Sequence, residues 1–201
     1  NSHLKLSDKE LKTYNDLIAQ RSKKKPIAYL TGKKAFWKYE FDITKDVLIP
    51  RPDTETIVEQ TLKLTKNKFR LKILDIGIGS GCILLSVLKE RKNFYGTGID
   101  ICKKNLDICK TNMKKLKLIN RVRLFKSDID NFSYGKYDLI VSNPPYIKKF
   151  DLKYLDKEVY CYEPLSALDG GLDGLLKISK VVYNSSKLVK KNGILILEIA
   201  F

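Results

Sequence analysis

Histidine is nearly absent from this 201-residue chain: the one copy is His3, close to the start. That removes almost all chemistry needing an imidazole base, a histidine-activated nucleophile or a histidine metal ligand. The four cysteines, Cys82, Cys102, Cys109 and Cys161, show no C-x-x-C spacing and sit inside apolar stretches. A zinc site or disulfide framework is therefore not expected, and a reducing, cytoplasmic setting is. Long apolar runs are missing as well. None is longer than four residues, and one of these, Ile194 to Leu197, has the length of a strand, so no membrane span is expected. No charged, apolar, small-residue leader pattern stands at the start, so no signal peptide is expected either. Arginine is scarce, 6 copies against 33 lysines, within a net charge of +16. Arginine is the residue suited to forked contacts with bases and phosphates. The lysines are scattered, and they read as a solvated surface with a weak general attraction to polyanions such as RNA.

Hydrophobic residues make up 43% of the chain, enough for a sizeable core, which excludes a wholly disordered polypeptide. Residues 7–22 read as a helix, with Ser7 and Glu10 forming a capping box and Leu11, Tyr14, Leu17 and Ile18 on one face. Trp37, Tyr39, Phe41 and Ile43 then alternate with polar residues as a half-buried strand, and Thr31-Gly32 offers the turn of a small hairpin. Pro50-Arg51-Pro52-Asp53 breaks that pattern and starts a helix carrying Ile57, Val58 and Leu62. From residue 71 apolar strands alternate with helices. The strands are expected at Leu71–Ile76, Asn93–Ile99, Val122–Phe125, Tyr137–Ser142 and Ile194–Ile199. The last helix is expected near Leu172–Val189, ended by Gly193. This order implies an α/β fold, a parallel sheet with helices on both faces. The boundary falls near residue 66. Residues 1–66 form a helix and hairpin region, and residues 67–201 the larger domain. The chain starts without methionine and stops at Phe201 just past a strand, so a longer natural protein is expected.

Two segments carry candidate chemistry. Asp75-Ile-Gly77-Ile78-Gly79-Ser80-Gly81 links the first strand of the sheet to its helix. Glycines there allow close approach of a ligand to the backbone, but the spacing is not the G-x-G-x-x-G of dinucleotide folds. Asp100 closes the second strand, placed to accept hydrogen bonds from a ribose diol. Asp128, with Ile129 beside it, ends the third, where the carboxylate could receive an adenine amino group. Each aspartate alone is also an ordinary strand-end cap. Together they favour an adenosine-type cofactor at the carboxyl edge of the sheet. The second segment is Asn143-Pro144-Pro145-Tyr146, directly after the fourth strand. Two prolines remove two N–H donors and fix the backbone. What remains is acceptors, the Asn143 side-chain oxygen and nearby carbonyls, a pair suited to both hydrogens of a planar NH2 group. Tyr146 can stack on the same flat group. A rigid loop after a strand is the bland alternative.

Those two motifs, in this order, resemble S-adenosylmethionine-dependent class I methyltransferases that act on amino or amide nitrogens. Further stretches are similar to the PrmC/HemK family, the N5-glutamine methyltransferases of peptide chain release factors. They are Pro26-Ile-Ala-Tyr-Leu-Thr-Gly32, Phe36-Trp37, Leu48-Ile-Pro-Arg-Pro-Asp-Thr-Glu55 and Tyr162-Glu-Pro-Leu-Ser-Ala-Leu168. The resemblance implies a Rossmann-like class I fold with S-adenosyl-L-methionine as cofactor, a release factor as partner, and no metal. It implies that Gly77, Ile78, Gly79, Ser80 and Gly81 wrap the methionine part of the cofactor, Asp100 holds its ribose, and Asp128 and Ile129 border adenine. It implies that Asn143, Pro144, Pro145 and Tyr146 hold the glutamine amide, with Asn143 also against the cofactor. The N-terminal helical part is shorter than the family's, and the chain ends where the family adds a final strand pair. An exposed sheet edge is the expected consequence. An RNA or DNA amino-methyltransferase using the same N-P-P-Y loop is the alternative activity.

Overall fold

A computed structural model describes residues 6–199, so His3 lies outside the described residues. Helix α1 (Asp8–Ser22) begins at the capping box, with the Ser7 N–H donating to Glu10 Oε2 at 2.8 Å. Its apolar face is not covered: Leu11, Tyr14 and Ile18 are each about half exposed. The short helix α2 (Ile27–Thr31) ends at Gly32, which takes the left-handed conformation. Thr31-Gly32 therefore caps a helix and is not the hairpin turn. Strands β1 (Lys33–Phe36) and β2 (Tyr39–Asp42) pair antiparallel, and the turn between them is Trp37-Lys38, with Trp37 at positive φ. The alternation of apolar and polar residues runs straight across this two-residue turn, which is why it reads as one strand. Helix α3 (Glu55–Leu64) follows the Arg-Pro-Asp-Thr stretch.

The sheet is built from β3 (Lys72–Ile76), β4 (Tyr95–Asp100), β5 (Val122–Lys126), β6 (Tyr137–Ser142) and β7 (Val189–Leu197). Between them lie helices α4 (Cys82–Glu90), α5 (Lys103–Lys115), α6 (Lys157–Tyr162) and α7 (Leu176–Leu188). The spatial order is β5-β4-β3-β6-β7, and every pairing is parallel. The chain reverses its direction of winding between β3 and β6, and such a switch point opens a crevice at the carboxyl ends of the strands. Helix α7 starts at Leu176, four residues later than expected, and ends at Leu188, one residue before the expected Val189. Residues 190–193 lie within β7 at a shift in its register with β6, with Asn192 at positive φ, and pairing resumes at Ile194 opposite Leu139. Among the described residues, β7 pairs with β6 on one side only.

Both faces of the sheet are packed, as strand periodicity requires. Ile73, Leu139 and Val141 point to a cluster with Leu84, Leu85 and Leu88 of α4, Phe36 and Phe41 of the hairpin, and Ile57 and Val58 of α3. Leu74, Ile76 and Ile140 point the other way, against Val181 and Leu188 of α7. The first cluster joins side chains from both sides of residue 66. In β4, Gly96 and Gly98 face the same side and let the layer above sit close. A Cβ on Gly96 would lie 2.7 Å from Leu84 Cδ2, and one on Gly98 would overlap Ile78 Cδ1. Gly98→Ala is therefore expected to cost about 1–3 kcal/mol, the usual range for overpacking. The check is the midpoint of urea unfolding at constant m-value.

Candidate functional site

All five strands of the sheet deliver a polar or glycine residue at, or within two residues of, their carboxyl ends: Gly77 after β3, Asp100 in β4, Asp128 after β5, Asn143 after β6 and Glu198 after β7. A cavity of about 540 Å³ runs along this edge, lined by Gly77, Gly79, Asp100, Asp128, Ile129 and Asn143 among others. A second cavity of about 210 Å³ adjoins it, lined by Arg51, Tyr146, Leu155, Val159 and Glu198. Leu48, Asn143, Pro144, Pro145 and Ala167 line both, so the N-P-P segment is a shared wall.

The glycine stretch is divided in its roles. Gly77 and Gly79 border the larger cavity, both at positive φ, and a Cβ added at Gly77 would meet nothing within 4 Å. Ile78, Ser80 and Gly81 do not line it. The Ile78 side chain is buried against Gly98, and the buried Ser80 gives its carbonyl to Asn112 Nδ2 at 2.9 Å. Gly81 precedes α4 at φ 83°, where a Cβ would crowd Cys109 Sγ at 2.7 Å. These three positions build the turn under the cavity instead of its surface.

Asp100 is fixed by its own neighbours. Its oxygens accept from the Gly79 N–H at 3.0 Å and the Cys102 N–H at 2.8 Å, and Asn105 Nδ2 spans both at 3.2 Å. Asn105 Oδ1 is buried without a partner, so a diol could displace the long shared contact and also donate to this oxygen. Asp128 accepts the Asp130 N–H at 3.1 Å through Oδ1, the strand-end cap, while its side chain still borders the cavity.

The N-P-P-Y loop is held from two directions. Asn143 Nδ2 donates to Thr54 Oγ1 at 3.1 Å, and Thr54 is only 3% exposed. The side-chain nitrogen is thereby engaged by protein, and no group among the described residues donates to Oδ1. On the other side, Ile147 N–H donates to Leu168 O at 3.1 Å and Gly170 N–H to Ile147 O at 2.8 Å. A Cβ on Gly174 would overlap Tyr146 O, so that glycine permits the contact. The Arg51-Pro-Asp-Thr and Glu163-Pro-Leu stretches meet directly. Glu163 takes Arg51 at 2.5 Å and the Ile49 N–H at 3.2 Å, which anchors the segment that carries Leu48. Tyr146 Oη donates to Glu198 Oε1 at 3.3 Å. Burial, with the Glu198 charge adding, raises the Tyr146 hydroxyl above its ordinary value. Thr54, Asn105 and Glu198 are the residues that motif reading passed over. For Glu198 the signal was a lone carboxylate closing an apolar strand.

Beneath the site, both Asp75 oxygens are buried with no hydrogen-bond partner among the described residues. Burial pushes this carboxyl up to about 7, Asp100 adds to the shift, and the nearby Leu84 N–H opposes it without reaching hydrogen-bond geometry. Between its ordinary value of 3.8 and about 7, the folded protein keeps a proton that the unfolded chain has lost. Stability therefore falls as pH rises through that window, and the penalty is complete above it. Asp75→Asn, neutral throughout, is expected to match the parent protein's unfolding temperature at about pH 4 and to exceed it at about pH 8. Thermal denaturation without added ligand reads the difference.

Comparison with known proteins gives a consistent outcome. The "Methyltransferase small domain" family model matches residues 52–157. The release factor glutamine methyltransferase of Caulobacter vibrioides is 38% identical over 197 residues, covering 98% of this chain and 68% of that protein. The protein of the same name from Rhodospirillum rubrum is 37% identical, covering 96% of this chain and 59% of its own length. A "bifunctional methyltransferase" of Rickettsia conorii is 35% identical, and this chain spans 42% of it. The chain is thus shorter than each of these relatives. Among solved structures, YjhP of E. coli superposes with a TM-score of 0.50 at 19% identity, over 76% of this chain and 52% of that one. A candidate O-methyltransferase of Nostoc punctiforme gives 0.50 at 18% identity, over 73% and 37%. These two likenesses bear on the fold alone. Among the described residues there is no helix long and apolar enough to cross a membrane, and no cluster of three or more potential metal ligands.

Proposed function

The chain belongs to the release factor glutamine methyltransferase family, and from that membership we propose that it methylates the side-chain amide nitrogen of a glutamine in a peptide chain release factor. The methyl donor in this reading is S-adenosyl-L-methionine. The residues fit it: an adenosine-sized cavity at the switch point, an open cradle at Gly77, and unused acceptors on Asn105 beside Asp100. Asp100 and Asn105 would hold the ribose, Asp128 and Ile129 would border the adenine, and Gly77 and Gly79 would admit the methionine part. When bound, the donor supplies an electrophilic methyl group on a positively charged sulfur.

The observation that carries the reading is the orientation of Asn143. With Nδ2 donating to Thr54, Oδ1 is left without a donor among the described residues, and Asn143 lines both cavities next to the donor-free Pro144 and Pro145. An amide NH2 in the smaller cavity could give one hydrogen to Oδ1 and the other to the Pro144 carbonyl. That would hold the group flat, with its out-of-plane electron density toward the larger cavity. An amide nitrogen is a weak nucleophile, so orientation has to do much of the work. Well-aligned reactants gain on the order of 7–11 kcal/mol in the most favourable cases. Tyr146 would close the smaller cavity over the flat group. By this reading residues 1–66 supply Leu48, Arg51 and Thr54, and residues 67–201 supply the donor cavity and the loop. The nucleic-acid alternative draws on the net charge and the shared loop motif, and none of the relatives' names supports it.

Two outcomes test the proposal. Asn143→Ala is expected to lower turnover on a glutamine peptide from the release-factor methylation site by about 10²-fold or more, with donor affinity by calorimetry nearly unchanged. Equal loss of donor affinity would contradict the division of roles. Thr54→Val, which cannot accept from Nδ2, is expected to lower kcat by about tenfold, while Thr54→Ser keeps most of it. In both cases mass spectrometry of the peptide identifies the methylated atom's residue.

A further inference from the structure

Glu198 is a carboxylate that the packing of the fold does not explain. Its backbone N–H donates to Ser142 O at 3.1 Å, which continues the β6–β7 ladder and sets the side chain beside Asn143 at the carboxyl edge. The side chain lines the smaller cavity. Oε1 accepts from Tyr146 Oη, while Oε2 is buried from solvent with no hydrogen-bond partner among the described residues. The nearest cationic candidate in the same wall, Arg51, is engaged by Glu163 and not by Glu198. A buried carboxylate oxygen without a partner is costly, and its negative charge is left for whatever enters the cavity.

We propose that Glu198 is a further catalytic residue: its Oε2 faces the substrate nitrogen, stabilises the positive charge that develops there, and takes the proton the nitrogen must lose. This rests on the glutamine-methylating reading above. The step balances. The nitrogen's electron pair forms the new N–C bond as the methyl–sulfur bond breaks and leaves its pair on sulfur. The cationic N-methyl amide then passes one hydrogen to Glu198, giving a neutral product and a carboxylic acid that returns its proton to water on product release. Asn143 Oδ1 and the Pro144 carbonyl are neutral acceptors that orient the group. Neither takes a proton readily, whereas a carboxylate does. Tyr146 holds Oε1, so Oε2 is the oxygen left for an entering group.

The test uses the full chain and its Glu198→Gln variant, in which the amide oxygen can still accept from Tyr146. Glu59→Gln, an exposed change on α3, controls for net charge. The variant is expected to lose about 10²-fold or more in kcat with KM for the glutamine peptide little changed. A second readout needs no turnover. Calorimetry compares the affinity of a donor analogue carrying an ammonium in place of the methylsulfonium centre with that of the neutral thioether product. The parent protein is expected to favour the ammonium analogue by about tenfold more than Glu198→Gln does, with the thioether Kd equal in both. Unchanged kcat and an unchanged affinity ratio overturn the proposal. So does a loss of kcat that comes with a lower unfolding temperature and weaker thioether binding, because that pattern is structural. If the parent protein binds donor but leaves glutamine unmethylated, the substrate reading fails, and the affinity ratio alone decides whether Glu198 acts as the counter-charge.

Discussion

The bond from Asn143 Nδ2 to Thr54 Oγ1 governs what the carboxyl edge of this sheet can receive. A side-chain amide has a donor end and an acceptor end of nearly equal shape, and an unpinned asparagine could present either. A single such bond contributes only about 1 kcal/mol net. Its consequence is direction: with the donor end occupied, the cavity wall shows an oxygen. Thr54 is itself immobilised by burial at the start of α3, and the segment before it is tied down by Arg51 on Glu163. A chain of fixings therefore runs from the Glu163-Pro-Leu stretch through the Arg51-Pro-Asp-Thr stretch to the Asn143-Pro-Pro-Tyr loop. Three segments far apart in sequence act as one rigid acceptor.

Against that neutral acceptor stand two carboxylates with oxygens buried and unpartnered, Asp75 beneath the glycine turn and Glu198 beside the loop. Such groups destabilise a fold, by roughly 1–3 kcal/mol or more for each unsatisfied group. The sheet can absorb this because its central strands are buried on both faces, with Ile73 at 1% exposure on one and Leu74 at 0% on the other. Rigidity from the apolar layers and strain at the polar edge belong together. Strands that did not close against α4 and α7 would let water reach both carboxylates and relax them.

Much of this was legible in the sequence because the strands of a parallel sheet read as short apolar runs. Tyr137–Ser142 matched to the residue, and Asp100, Asp128 and Asn143 fell at the strand ends where the fold needs them. The hairpin turn was misplaced because Trp37 occupies a turn while continuing an alternating pattern, held by Glu55 at its N–H and Glu90 at its indole. Gly193 looks like a helix stop but lies inside β7, where the pairing with β6 shifts register. Ile78, Ser80 and Gly81 were grouped with the cavity because a glycine-rich motif does not reveal which of its residues face outward. Thr54 and Glu198 were missed for a different reason: each matters only through a contact with a residue about ninety or about fifty positions away, and no local pattern encodes that.

The excess of positive charge and the buried acids act over different ranges. Charges exposed to water are screened within about 8–10 Å at ordinary ionic strength. Of the lysines lining the larger cavity, Lys180 is moreover paired with Asp130. Their field can draw in an acidic partner surface, but it cannot set the potential at a nitrogen enclosed between Asn143 and Tyr146. There the effective dielectric is low, and a single carboxylate outweighs many distant ammonium groups. A basic exterior and a locally anionic interior are then compatible, and the two act at separate steps. In the role proposed for Glu198, it is the enclosed acid that favours the cationic state through which an amide nitrogen must pass.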